Sequence, residues 1–292
     1  MISIIISSVD KQLLKDVKLN IEETIGVPFE VISFDNSDGK MGLCEIYNKG
    51  SRLAKFDFIC YMHEDIELKT EGWGQRVLNI FTDNVDLGLL GIAGSTYKSI
   101  APSGWGTAPD IDVHYINVLQ SFKYSNKPPQ LMYMNPRNEK LTLVACVDGV
   151  WFCTKKKYAL HFPFDEDLLK GFHCYDLDFS FSIGQKYKVA VTYEIMIEHF
   201  SEGNIDNNWL NETLKLHQKW KNNLPINIAN LSIEQCKSVE NEVFYQIIDK
   251  MTKYKFKTKS KLAFLNSYDL IQIVGLRRAF KLYLYTLFKT FP

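Results

Sequence analysis

The chain has 292 residues, 46% of them hydrophobic and 13% aromatic, enough for one large core plus a smaller appendage and far from a disordered composition. Lys plus Arg equals Asp plus Glu at 34 each, so no global field steers the molecule toward nucleic acid, and nucleic-acid binding is set aside as its main role. The balance is uneven: residues 226–292 carry 11 Lys/Arg against 5 Asp/Glu, a net of +6, leaving −6 on the first 225.

Residues 2–7 are a β-branched apolar run that predicts a buried strand. Leu13, Leu14, Val17, Ile21 and Ile25 then recur at helical spacing over residues 8–25, with Gly26 as the stop. A second strand over 29–34 ends on the turn formers Asp35-Asn36-Ser37-Asp38-Gly39. A helix over 42–53 and a third strand over 56–62 complete the βαβ pattern of a parallel sheet. That third strand ends on His63-Glu64-Asp65. A helix over 72–81 and a strand over 85–93, closed by Gly94, follow. Residues 95–125, rich in Gly, Pro and Trp/Tyr, read as loop. Strands over 130–134 and 141–147 flank the turn at 135–138, and antiparallel partners for them make the sheet mixed. The segment 148–154 leads to a new element at 155–158, and 164–174 reads as a polar, aromatic loop. A helix over 175–184 and a strand over 187–191 precede His199-Phe200. An amphipathic helix over 207–221 runs through Leu210, Leu214, His217 and Trp220, and Pro225 closes the compact domain. The expected division is therefore 1–225 and 226–292. The second part carries a helix over 233–251 and one or two more within 262–287.

The six cysteines, at 44, 60, 146, 153, 174 and 236, form no Cys-x2-Cys pair and no disulfide-scaffold spacing. They predict buried free thiols in a reducing cytoplasm. The N-terminus has no basic segment followed by a long apolar run, and no window reaches 18 uncharged apolar residues. Neither a signal peptide nor a membrane span is expected.

Four clusters carry functional groups. The adjacent acids of His63-Glu64-Asp65 stand at the carboxyl edge of a parallel sheet, where open α/β sheets bind ligands. Their oxygens suit Mg²⁺ or Mn²⁺, which would neutralise a diphosphate leaving group; the plainer alternative is a solvated strand end. Asp35 and its turn offer a carboxylate to a nucleobase or ribose, or form an ordinary Asx-turn. In Tyr175-Asp176-Leu177-Asp178, one acid suits a general base and the other orients a ligand or holds the local fold. On a helix the two diverge by about 200°, and acids at that position also favour a helix N-terminus. His199 offers a neutral imidazole to a metal shell, or is structural.

In order and separation these clusters resemble the family 2 glycosyltransferases and their relatives over residues 2–200, and look closest to the streptomycin-biosynthesis StrF-like glycosyltransferase domains. The resemblance implies the α/β GT-A (nucleotide-diphospho-sugar transferase) fold, a mostly parallel mixed sheet flanked by helices, here with a helical C-terminal extension. It places Ser8 and Asp10 in the nucleotide-binding loop after the first strand, Asp35 on the base, and Asn48, with Gly50 and Ala54, ahead of the third strand. The family's Asp-x-Asp metal motif corresponds to His63-Glu64-Asp65. Asp65 is thus the direct ligand, His63 and Glu64 face the donor, and His63 departs from the pattern. Asp176 matches the catalytic base, with Tyr175 replacing the first acid of the family's pair and Asp178 supporting. His199 matches a downstream metal position.

The implied reaction is inverting transfer of a sugar from a nucleotide-diphosphate donor to a saccharide or lipid-linked saccharide, with Mn²⁺ or Mg²⁺. Residues 95–106 and 148–151 line the acceptor pocket, with Trp105, Asp148 and Trp151 as its contacts; either indole is also suited to simple core packing. A non-catalytic nucleotide- or sugar-binding protein of the same fold is the alternative. A nucleotidyltransferase fits poorly, since residues 2–12 contain no glycine and only Lys11 as a cation. The alternating lysines 253–261, Arg277, Arg278 and Lys281 suit either an anionic membrane surface at the cytoplasmic face or an amphipathic helical subdomain packed on the core or on a second subunit.

Overall fold

The computed structural model describes residues 1–106, 112–123, 125–203 and 205–289. Residues 107–111 of the Gly/Pro/Trp-rich segment and the last three residues of the C-terminal part lie outside the described residues.

In chain order the elements are β1 (Ile2–Ser8), α1 (Lys11–Thr24), β2 (Phe29–Asp35), α2 (Leu43–Leu53), β3 (Phe58–Met62), β4 (Ile66–Leu68), α3 (Trp73–Asp83), β5 (Leu87–Gly91), β6 (Ala93–Ser95), β7 (Tyr97–Lys98), β8 (His114–Gln120), β9 (Gln130–Met134), β10 (Leu141–Leu143), β11 (Cys146–Val147) and β12 (Trp151–Lys155). They continue with α4 (Lys156–His161), α5 (Tyr175–Gly184), β13 (Lys188–Thr192), β14 (Ile197–His199), α6 (Asn207–Lys219), β15 (Ile226–Asn227), α7 (Ile233–Lys253), α8 (Thr258–Asn266), α9 (Leu270–Val274) and α10 (Leu276–Phe288).

The main sheet has seven strands in the order β10-β13-β5-β12-β3-β1-β2. β1 pairs parallel with β2 and β3, and β13 parallel with β5. β12 runs antiparallel between β3 and β5, and β10 antiparallel to β13. Five of the seven strands therefore point the same way. Period-two alternation explains the all-apolar runs, because both faces of this sheet are covered. Ile5, Tyr61, Leu89 and Phe152 point into one core with α2 and α5 residues, while Ile4, Ile6, Cys60, Met62 and Trp151 point into the other with α1 and α3 residues. The N-terminus of α1 is set by Asp10, whose carboxylate accepts the Gln12 and Leu13 amides.

A second sheet, β11-β6-β8-β14-β4 with β9 on β8, lies across the carboxyl edge of the first. It corrects the reading of 95–125 as loop, since β7 and β8 fall there. Residues 141–147 also divide into β10 and β11, which belong to different sheets. Among the described residues the C-terminal part holds three helices beyond α7 rather than one or two. All six cysteines are free thiols, five of them buried.

The C-terminal helices share their core with the rest of the chain. Tyr97, Ala101, Val113 and Leu210 cluster with Val243, Phe244, Ile247 and Leu282, and β15 pairs with β7. The polar centre of this junction is Glu240 of α7, 2% exposed. Its carboxylate accepts from Tyr97 Oη (2.7 Å), Ser99 Oγ (2.6 Å), Ile100 N (3.0 Å) and Ala101 N (3.3 Å). Removing it strands several buried donors at once, so Glu240→Ala is expected to cost about 3 kcal/mol of stability. Denaturant unfolding checks this, and a loss under about 1 kcal/mol would show that the junction does not depend on the carboxylate.

Candidate active site

Strand register brings the site together. Trp151 of β12 lies opposite Met62 of β3, and the His63 amide donates to the Val150 carbonyl at 3.0 Å. The reversal at Asp148–Val150 therefore lies against the residues leaving β3. Asp148 holds this reversal by accepting the Val150 amide at 2.8 Å. Gly149 admits no side chain, because a Cβ there would lie 2.1 Å from the Tyr175 hydroxyl.

That hydroxyl reaches Gly149 O at 3.1 Å and His63 Nε2 at 3.0 Å. A carbonyl only accepts, so the phenolic proton goes to Gly149 and Tyr175 accepts from His63 Nε2–H. His63 Nδ1 is left with its lone pair, 3.8 Å from Asp65 Oδ1. His199 is fixed in the same manner from the other side. Gln120 turns its amide nitrogen to the carbonyls of Ser121, His199 and Ser201, so its oxygen accepts from His199 Nδ1 at 3.2 Å. His199 Nε2 is then unprotonated, buried and without a hydrogen-bond partner, 3.7 Å from Asp65 Oδ1.

Asp65 Oδ2 accepts from the Ser201 hydroxyl at 2.5 Å. Burial raises its carboxyl, but His63, Ser201 and His199 outweigh that and hold it below the usual range. Burial, and then the His63 ring, push His199 down, which keeps its imidazole neutral. One ligand atom from each of His63, Asp65 and His199 lies within 4.8 Å of the others. An orphaned imidazole nitrogen, a second imidazole lone pair and a carboxylate oxygen fit a divalent metal ion. His63 thus belongs to the group of side chains that could hold such an ion.

Beside this triad opens a cavity of about 650 Å³. Its floor is His63, Asp148–Val150 and Cys174–Leu177; its walls are Pro102–Gly106, Phe172, His173, Ser201–Gly203 and Ile205, with Trp209 of α6 and Gln246 and Lys250 of α7. Asp176 faces it from the first turn of α5. Burial, reinforced by the nearby Asp148, raises the Asp176 carboxyl to about 7. The 100–103 wall is pinned by buried His217, which donates Nδ1–H to Ile100 O (3.1 Å) and accepts the Ser103 amide (3.2 Å) and the Lys98 ammonium (3.0 Å) on Nε2. Burial lowers Lys98 to about 8.

Asp178 points away from the cavity, as the helical geometry requires. It is 1% exposed and ties α5 to α6 through Trp220 Nε1 (2.6 Å) and Lys219 Nζ (2.8 Å). Asp35 is exposed and accepts from Ser37 N and Oγ, forming an Asx-turn, which holds its carboxyl below the usual range. Ser8 ends β1, and Asp10 caps α1 at the end of the short β1–α1 loop. Buried Glu64 fixes that loop by accepting the Val9 and Asp10 amides on Oε1 at 2.9 and 3.1 Å, while its Oε2 is buried with no partner.

Two expected contacts are corrected. Asn48 is buried, and its amide is consumed by Phe164 N, Phe164 O and Glu166 Oε2, so it clamps α2 to the 164–166 loop and reaches no donor. Trp151 is fully buried against Trp73, with ring centroids 6.0 Å apart; β-alternation turns it away from the cavity, and it offers no face to a sugar. Trp105, by contrast, lines the cavity. Trp209, Gln246 and Lys250 were missed, as were Gln120 and Ser201, which orient the triad. Only Ser201, two residues past His199, carried a positional hint.

The family described as "Glycosyltransferase like family" matches residues 3–229. Among solved structures, the chain resembles S. aureus TarS 1–349 (TM-score 0.52, 12% identity, 98% of this chain and 86% of that one). It also resembles GalNAc-T7 crystallised with UDP, GalNAc and Mn²⁺ (TM-score 0.51, 12% identity, 75% of this chain), of which it spans 48%. These likenesses show a GT-A-like α/β fold with a helical C-terminal extension. No curated protein matches the sequence.

The triad's geometry sets an expectation for metal binding. Mn²⁺ should bind the chain, and His199→Ala should weaken it at least about tenfold, with Gln120→Leu weakening it by about tenfold through the lost ring orientation. Calorimetric titration decides, and unchanged affinity in His199→Ala would remove that residue from the site.

Proposed function

Because the chain belongs to the glycosyltransferase-like family, we propose that it moves a sugar from a nucleotide-diphosphate donor to a saccharide or lipid-linked saccharide acceptor with inversion at the anomeric carbon. The observation that carries this reading is Asp176, a carboxylate with a pKa raised to about 7 that faces a roomy cavity next to the His63–Asp65–His199 cluster. A base tuned near neutrality suits removal of a hydroxyl proton. Assignment to the StrF-like branch rests on motif order alone.

In this reading the donor lies along the β1 and β3 ends. Glu64 keeps the β1–α1 loop closed through Oε1, and its unpartnered Oε2 accepts a donor hydroxyl. Asp35, at the exposed end of β2, accepts from the base or ribose. His63, Asp65 and His199 would hold a divalent ion that neutralises the diphosphate as it leaves. Two imidazoles and one carboxylate suit Mn²⁺ better than Mg²⁺, which prefers oxygen ligands. Asp176 takes the acceptor hydroxyl's proton, and Asp148 raises its basicity. Trp105 and Trp209 offer aromatic faces to the acceptor sugar. Inversion follows from a single base acting on the acceptor. The hydrogen bond between His63 and Tyr175, the two positions that depart from the family pattern, supports a working rather than a decayed site.

Asp176→Asn should lower transfer by about 10²–10⁴-fold while nucleotide binding stays within about twofold. Transfer should also fall with acid: the base must be ionised, so kcat/KM drops as pH passes below about 7, or somewhat lower with a cation bound nearby. A panel of nucleotide sugars assayed with Mn²⁺ checks both. Absence of turnover with every donor, with ligand binding indifferent to Asp176→Asn, would sink the enzymatic reading in favour of a binding protein.

A further inference from the structure

The last helix has two apolar faces, and only one of them is used. At 100° per residue, Ala279, Leu282 and Thr286 share one arc of α10, and all three are buried against α7, α8 and α9. Leu276 (68% exposed), Phe280 (63%), Leu284 (38%) and Leu287 (49%) fall on another arc of about 80°, with Phe288 (78%) at its margin. Such a stripe is costly to leave in water unless something covers it.

Charge identifies the occupant. Arg277 and Lys281 lie along one edge of the stripe, are exposed, and make no ion pair among the described residues. Their neighbours Arg278 and Lys289 are neutralised by Glu234 (2.7 Å) and Asp249 (3.1 Å). Residues 270–292 contain no Asp or Glu, and 251–292 hold nine Lys/Arg against one acid. Lys281, Leu284 and Phe288 border one shallow groove, so basic and apolar groups meet on the same surface. A second copy of this face would set cation against cation. An anionic bilayer would receive the cations at its headgroups and the phenyl and leucyl side chains below them. No described helix is long and apolar enough to cross a membrane.

We propose that the exposed face of α10 is a peripheral docking surface for anionic lipid. α7 carries this surface on one side through α10, with the Tyr245 and Tyr285 rings 4.8 Å apart, and lines the cavity with Gln246 and Lys250 on the other. Docking would therefore set the position of the cavity relative to the headgroups through α10 and α7. The inference does not depend on the reaction assigned above.

The test is flotation of the full chain with vesicles of phosphatidylcholine alone and with about 30% phosphatidylglycerol. The chain should float with the anionic vesicles, remain behind with the neutral ones, and lose most of its binding in about 0.5 M NaCl. Two double variants, Phe280→Ser with Phe288→Ser and Arg277→Gln with Lys281→Gln, should each weaken partitioning by about tenfold or more. Their melting temperatures should stay unchanged, because all four side chains are exposed. No preference for anionic vesicles would overturn the proposal. So would a concentration-dependent dimer in light scattering that Phe280→Ser with Phe288→Ser abolishes, since the face would then belong to a second copy.

Discussion

The pairing of β12 with β3 is the constraint on which the site depends. An antiparallel strand inserted between β3 and β5 must reverse direction at the sheet's carboxyl edge, and its register with Met62 fixes where. The reversal at Asp148–Val150 is thereby held against His63 by a backbone hydrogen bond. Gly149 gives Tyr175 the room to approach, and Tyr175 in turn starts the helix that carries Asp176. A slip of one residue in this ladder would exchange the faces of Phe152 and Trp151 and separate Asp148 from both His63 and Asp176. The placements of His63 and Asp176 thus both trace to one strand pairing, while the β14–β4 pairing sets His199 beside Asp65.

The two departures from the family's motifs are physically one feature. An aspartate at position 63 would need no tautomer control, but an imidazole binds metal only through an unprotonated nitrogen. Tyr175 supplies that control by accepting from Nε2, and it can only accept because Gly149 O takes its proton. Viewed separately, His63 and Tyr175 each weaken the case for a metal site. Viewed 3.0 Å apart, they leave His63 Nδ1 with a free lone pair, as an imidazole needs in order to bind an ion.

The first sixty residues were legible because β1, β2 and β3 are buried on both faces, which writes them as continuous apolar runs, and because Gly26, Pro28 and Gly39 punctuate them. Helix α5 was legible over residues 175–184 for similar reasons. β8 was obscured by its surroundings: Pro, Gly and Trp dominate residues 100–106, and this composition masked the alternating run that follows. The split of 141–147 was invisible because an apolar run does not record a change of sheet. Trp151 and Asn48 went wrong for a shared reason. Nearness in sequence to a functional residue does not give side-chain direction, and both face inward. Gln120 and the α7 residues lay too far along the chain for any local pattern to connect them to the triad.

The buried Glu240 has a meaning for how this protein can be shortened or recombined. It stitches α7 to the 97–101 segment, and the same helix supplies Gln246 and Lys250 to the cavity. Trimming the chain after Pro225 would not yield a smaller version of the molecule. It would open one side of the cavity and bare Tyr97, Ala101 and Leu210 together, coupling loss of a cavity wall to a new sticky surface. Conversely, the triad and Asp176 draw nothing directly from α7. Substitutions confined to Gln246 and Lys250, the α7 side chains that line the cavity, would reshape that wall without touching the floor, so the two are carried by separable parts of the sequence.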